Sequence, residues 1–126
     1  MKMTNHELQA VTEGLSGIAN MSLKASCAFK VRLIIKKIKD YTVAFDEVRG
    51  ELADKYCAKD EDGKFVTNGQ QYTFASTDDE NAFRDEVAAL LNQEIDVDIA
   101  ALKAEDFGDT EIAPNVLMRL DSILED

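Results

Sequence analysis

Tryptophan is absent from the 126 residues, proline and histidine occur once each, and cysteine only twice. Each scarcity excludes something. A core without tryptophan and with few aromatics must rest on Leu, Ile, Val and Ala. One proline and six glycines are too few turn formers for a many-stranded β architecture, which favours helix. The lone histidine, His6, lies close to an N-terminus expected to be mobile. It reads as a surface residue, and no Ser-His or Cys-His relay can be built around it. No apolar run approaches the ~18–20 residues of a bilayer span. The opening "MKMTNHELQA" has polar residues where a secretory leader needs its apolar centre. A soluble protein made in the cytoplasm, without a membrane partner, is the expectation.

Cys27 and Cys57 are both placed on one predicted helix, where their separation corresponds to roughly 45 Å. A disulfide needs Cα atoms within about 7 Å, so a continuous helix excludes the pairing. Two free thiols suit a reducing compartment. With no CxxC spacing and no partner histidine, neither reads as a zinc ligand or a nucleophile.

What is present in excess is negative charge. The net formal charge is −11, unevenly placed along the chain. Residues 1–59 carry 10 basic and 7 acidic side chains, a balance of +3, whereas residues 60–126 carry 4 basic and 18 acidic ones, a balance of −14. The second part should repel nucleic acid, so direct DNA or RNA binding is not expected.

Apolar spacing organises the first part into a helical hairpin. Thr4 or Asn5 can cap a first helix, with Glu7 near the capping-box position and Leu8, Val11, Leu15 and Ile18 as its stripe. Gly14 and Gly17 should weaken it a little. From about Ala25 to Tyr56, Val31, Ile34, Ile38, Tyr41, Phe45, Val48 and Leu52 recur at alternating spacings of three and four, a heptad-like seam. This helix is nearly twice the length of the first. The uncovered seam should therefore be buried by C-terminal elements, with homodimerisation through the long helix as the alternative.

The rest reads as a smaller α+β part. "KFVTNGQQYTF" suggests a hairpin turning at Asn68-Gly69. Thr77 with Glu80 forms a capping box for a third helix, from Asp78 to about Gln93, burying Phe83, Val87, Leu90 and Leu91. "EIDVDI" alternates Ile95, Val97 and Ile99 with acids, as a half-buried strand does. "AEDFGDTEI" reads as irregular. Pro114 suits the first turn of a last helix carrying Val116, Leu117, Leu120, Ile123 and Leu124. The expected fold is one α+β domain, mainly α: residues 1–59 a mildly basic helical hairpin with one long helix, and residues 60–126 an acidic part with a small sheet and two shorter helices.

Chemistry is sparse. No P-loop, dinucleotide-binding glycine turn, zincin helix or nucleophile-elbow pattern occurs. "DEDG" invites a calcium-loop reading, but counting from Asp60 places Lys64 at position 5, Phe65 at position 6 and Gln71 at position 12. The plainer reading is a helix end followed by a solvated turn, with Gly63 left-handed. Asp96 and Asp98 share one face of their strand and can be imagined holding a metal or acting as acid and base. They read more simply as the wet face of an edge strand. Glu105, Asp106, Asp109 and Glu111 form a denser acidic loop, again without ligand geometry. Lys30, Arg32, Lys36, Lys37 and Lys39 cluster on the long helix, as a docking stripe or as a solvated face paired in part with the protein's own acids. No catalysis, metal or cofactor is expected.

The opening "MTNHELQ", then "FKVRLIIKKIKDY", "LADKYCAKDEDGK", "LLNQEIDVDI" and the ending "IAPNVLMRLDSILED" occur in an order that resembles one family across nearly the whole chain. It is the family of tailed-phage and prophage proteins from Gram-positive bacteria known as domain of unknown function 1617. The chain departs from that family's proline-containing turn before the long helix, having "MSLKASCAF" there. The resemblance implies a phage origin and no catalytic residues. It directs attention to a protein of the host cytoplasm that binds and redirects a host or phage factor, and the anionic second part sharpens this to an acidic inhibitor of a nucleic-acid-binding or defence system. The alternative it implies is a virion or tail-assembly accessory. On the inhibitor reading the interaction residues are Asp96, Asp98, Glu105, Asp106, Asp109 and Glu111, with Lys30, Lys36 and Lys37 as a second, basic stripe. A carboxylate–metal hydrolase on Asp96 and Asp98 is the remaining enzymatic alternative.

Overall fold

The structure is a computed structural model and describes residues 1–125. Its first helix, α1 (Asn5–Ala19), begins as its sequence dictates. The Thr4 hydroxyl accepts from the Glu7 N–H at 3.1 Å, and Glu7 Oε1 accepts from the Thr4 N–H at 3.2 Å, a complete capping box. Leu8, Val11, Leu15 and Ile18 are all buried. The long helix α2 (Ala25–Tyr56) also follows its periodicity. The fold is α+β and mainly α, with a third helix α3 (Thr77–Asn92), a short α4 (Pro114–Arg119) and small two-stranded sheets.

Contacts divide the chain into two compact units, Met1–Thr42 with Gln93–Asp126, and Val43–Asn92. The charge boundary at residue 59 is not where the contacts divide. By unit, the acidic excess is −4 in the first and −7 in the second.

The first unit holds a continuous core. Met3, Leu8, Val11, Leu15 and Ile18 meet Cys27, Val31, Ile34 and Ile38 of α2, and Val97, Leu102, Phe107, Leu120 and Ile123 close the cluster. C-terminal elements thus bury this part of the seam, as its length required. The segment before α1, read from the sequence as part of a mobile end, forms a strand, β1 (Lys2–Thr4). It pairs antiparallel with β4 (Glu94–Asp96), Met3 opposite Ile95. Val97 adds a bond from its N–H to the Met1 carbonyl at 2.8 Å. Val97 is fully buried while Asp96 and Asp98 are exposed, the alternation expected of a half-buried strand.

Two C-terminal expectations need correction. "AEDFGDTEI" is not wholly irregular: β5 (Leu102–Lys103) leads into a 3₁₀ turn, Ala104–Phe107. The last helix stops at Arg119, and a 3₁₀ turn (Asp121–Ile123) and β6 (Leu124–Glu125) follow, β6 pairing parallel with β5. Leu120 and Ile123 sit three apart, a spacing that a 3₁₀ turn satisfies as well as an α-helix. Gly14 acquires a reason here. A Cβ at that position would lie 2.7 Å from Leu120 Cδ2 and 3.2 Å from Arg119 Cβ, so the missing side chain lets the C-terminal segment approach α1.

The second unit comprises the later turns of α2, a hairpin of β2 (Thr67–Asn68) and β3 (Gln71–Tyr72), and α3. The hairpin turns at Gly69-Gln70, one residue later than the sequence suggests, because Asn68 pairs with Gln71. Only Gly69 takes a left-handed angle there, at φ 68°, as a glycine-first turn requires. The cap of α3 likewise shifts by one: Ser76 Oγ, not Thr77, accepts from the Asp79 N–H at 3.1 Å. Phe83, Val87, Leu90 and Leu91 form the inner face of α3 as spaced, yet all are half-buried, and α3 has no buried residue. In this unit only Phe45, Ala53 and Cys57 are buried, while Val48, a seam residue, is 40% exposed.

Candidate functional site: an acidic surface and an apolar cavity

The six acidic residues singled out in the sequence all belong to the first unit, but they differ in what they do. Asp106 is committed to the fold. Its carboxylate accepts from the Lys103 N–H at 2.8 Å and from Lys30 Nζ at 3.1 Å through both oxygens. The backbone hydrogen bond first, then the Lys30 ammonium, hold its pKa below the ordinary aspartate value. Asp96 accepts from the Met1 ammonium at 3.0 Å, and its carbonyl accepts from Tyr41 Oη at 3.1 Å. Glu105 contributes its backbone oxygen to Lys24 Nζ at 3.1 Å, leaving its exposed carboxylate unpaired. Asp98, Asp109 and Glu111 are exposed and have no cation beside them among the described residues.

Of the basic stripe, Lys30 is engaged by Asp106, while Lys36 and Lys37 are exposed and form no ion pair among the described residues. Intramolecular pairing therefore occupies two of the six acidic residues, Asp96 and Asp106, and one of the three lysines, Lys30. Among the described residues no three His, Cys, Asp or Glu side chains are grouped so as to hold a metal. Asp60, the first residue of "DEDG", accepts from the backbone N–H groups of Asp62 at 2.9 Å and Lys64 at 3.0 Å, so its carboxylate shapes the turn. Both cysteines are free and buried, and burial pushes both thiols up, which keeps them poor nucleophiles.

Two features escaped the sequence reading. In the first unit, a cavity of about 290 Å³ opens between the 3₁₀ turn after β5, the segment that follows, α4 and β6. Ala104, Phe107, Gly108, Thr110, Ile112, Leu117, Leu124 and Glu125 line it. Its signal was present in "GDTEI": Gly108, Thr110 and Ile112 face the cavity, and Asp109 and Glu111 alternate with them. In the second unit, Phe65, Tyr72, Phe83 and Phe74 form a chain of rings with centroids 5.1, 6.4 and 5.5 Å apart, the first two pairs edge-to-face and the last tilted. A second hollow of about 310 Å³ borders it, rimmed by Arg49, Glu80 and Arg84. Glu80 and Arg84 pair at 2.7 Å, neutralising each other.

Fold and surface together define a small, mainly helical α+β protein with an anionic exterior. No helix among the described residues is long and apolar enough to cross a membrane. The chain belongs to the family described as protein of unknown function (DUF1617), which matches residues 1–119. No curated protein and no solved structure matches it.

Proposed function

We propose that this is a phage-encoded, non-catalytic protein that acts by binding a host or phage protein through a cationic surface of that partner. Its sharper form is an inhibitor that occupies a basic groove of a nucleic-acid-binding or defence machine in the host cytoplasm. One observation carries the reading: five acidic side chains, those of Glu13, Asp54, Glu80, Asp96 and Asp106, form ion pairs among the described residues, and the other described carboxylates have none. Unpaired surface charge of one sign steers association with the opposite sign and is screened by salt. The test is capture from host cells on immobilised protein, followed by affinity measurement on the captured partner alone. Affinity should fall at least about tenfold between about 50 and 200 mM salt. A flat salt response sinks the groove-occupying form.

A second reading, a virion or tail-assembly accessory that dimerises through the long helix, draws on Phe29 and Leu33. They lie one turn apart on α2 and are 68% and 41% exposed. Sedimentation at submicromolar concentration and mass spectrometry of purified particles decide it: a monomer absent from particles removes it.

A further inference from the structure

The cavity of the first unit has walls of Phe107, Ile112, Leu117 and Leu124, a volume of about 290 Å³, and no side chain of the described residues filling it. Sites for drug-sized molecules begin at roughly 300 Å³ and usually exceed it. This one is small for a nucleotide or a large metabolite and sufficient for one or two branched apolar side chains. Its surroundings carry charge of one sign in excess. Glu125 lines it, and Asp109 and Glu111 alternate with lining residues less than two peptide units away. The exposed carboxylate of Glu105 adjoins Ala104 of the lining. Against these stand Lys24, whose Nζ is held by the Glu105 carbonyl, and Lys103; Lys30 is already neutralised by Asp106.

We infer that this cavity is a docking pocket for a single apolar side chain of a partner protein, presented between lysine or arginine residues. The inference rests on the binding reading above and narrows it to a site and to a partner chemistry. Apolar walls desolvate the anchor, while Glu125 in the lining and the exposed, unpaired carboxylates of the adjoining segment select its neighbours. An acidic peptide or an anionic lipid surface would meet repulsion at the same place. This chain contains a rival occupant, since the exposed Phe29 is followed by Lys30 and Arg32. The excess of −11 on each copy opposes that self-association.

The probe is a seven-residue synthetic peptide with a central leucine between lysine pairs, titrated into isotope-labelled full-length protein and followed by amide NMR. Shifts should centre on Gly108, Thr110, Ile112, Leu117 and Leu124. An alanine-centred peptide should bind at least about tenfold more weakly, and a leucine peptide flanked by glutamates should not bind. The Asp109→Lys and Glu111→Lys double variant should weaken binding roughly tenfold, both residues being exposed and unpaired, so that the fold is spared. Ala104→Phe, at an exposed lining position, should block the cavity and abolish the shifts.

Equal binding of the leucine and alanine peptides, or shifts centred elsewhere, overturns the proposal. So does concentration-dependent shifting of the same residues without peptide, if Phe29→Ser removes it, because the pocket then belongs to a second copy. The two readings fail separately. A captured partner with a steep salt response that Ala104→Phe leaves unaffected preserves acidic binding and removes the pocket. Leucine-peptide binding with no salt-sensitive partner does the reverse.

Discussion

The two units of this chain differ in length and are of opposite construction. The first draws residues from both ends of the sequence and buries a continuous cluster from Met3 to Ile123. The second is one uninterrupted segment, Val43–Asn92, whose only buried residues are Phe45, Ala53 and Cys57. Hydrophobic stabilisation scales with the apolar area withdrawn from water. The first unit therefore gains most of its stability from packing, and the second relies on half-buried aromatics, helix propensity and turn geometry. The same contrast separates charge: the thinner unit carries −7 and the better packed one −4.

The sharpest way to break this comparison is to truncate one apolar side chain in each unit. Leu8→Ala, at a fully buried position, should cost about 3 kcal/mol in denaturant unfolding. Val87→Ala, on the half-buried face of α3, should cost less than about 1 kcal/mol. Equal costs would dissolve the distinction. Hydrogen exchange examines the same contrast without mutation. Amides in the middle of α1 should exchange roughly a hundredfold more slowly than those of α3, and equal protection would mean that the thin core opens no more readily.

Glycines offer a finer test because their substitution should have opposite signs. Gly14→Ala gains helix propensity but drives a methyl into Leu120 and should lose about 1–2 kcal/mol net. Gly50, inside α2 with nothing within 4 Å of an added Cβ, should gain about 0.5–1 kcal/mol as alanine. The smallest effect concerns pH. The folded-state pKa of Asp106 lies below its ordinary value of 3.8. Its contribution to stability is complete above that ordinary value and disappears as pH falls through the lower folded one. Thermal melts of Asp106→Asn should therefore match the parent at very low pH and fall below it near neutrality.

The helices were largely legible in the sequence because their signals are local and repeated. The capping box at Thr4 and Glu7 and the alternating seam of α2 need no distant partner to be read. Strand β1 was not legible, since three residues carry no period and its partner lies ninety or more positions away. The tail misled because Leu120 and Ile123 satisfy α and 3₁₀ spacing alike. Among the site residues, exposure of Asp98, Asp109 and Glu111 could be read from composition and alternation. The commitment of Asp106 to Lys30 and to its own turn could not, because it depends on a long-range approach. The cavity stayed hidden for the same reason, its walls being assembled from Phe107, Ile112, Leu117 and Leu124.

The approach of Leu120 to Gly14 has a consequence for how the protein comes into being. α1 is synthesised early, yet its stripe is sealed only when Leu120 and Ile123 have emerged, more than a hundred residues later. The segment Val43–Asn92, whose contacts are mostly local in sequence, has no such wait. On the ribosome the order of completion should therefore invert the order of stability. The thin unit can assemble first, while the apolar face of α1 stands open to solvent until Leu120 and Ile123 have been made.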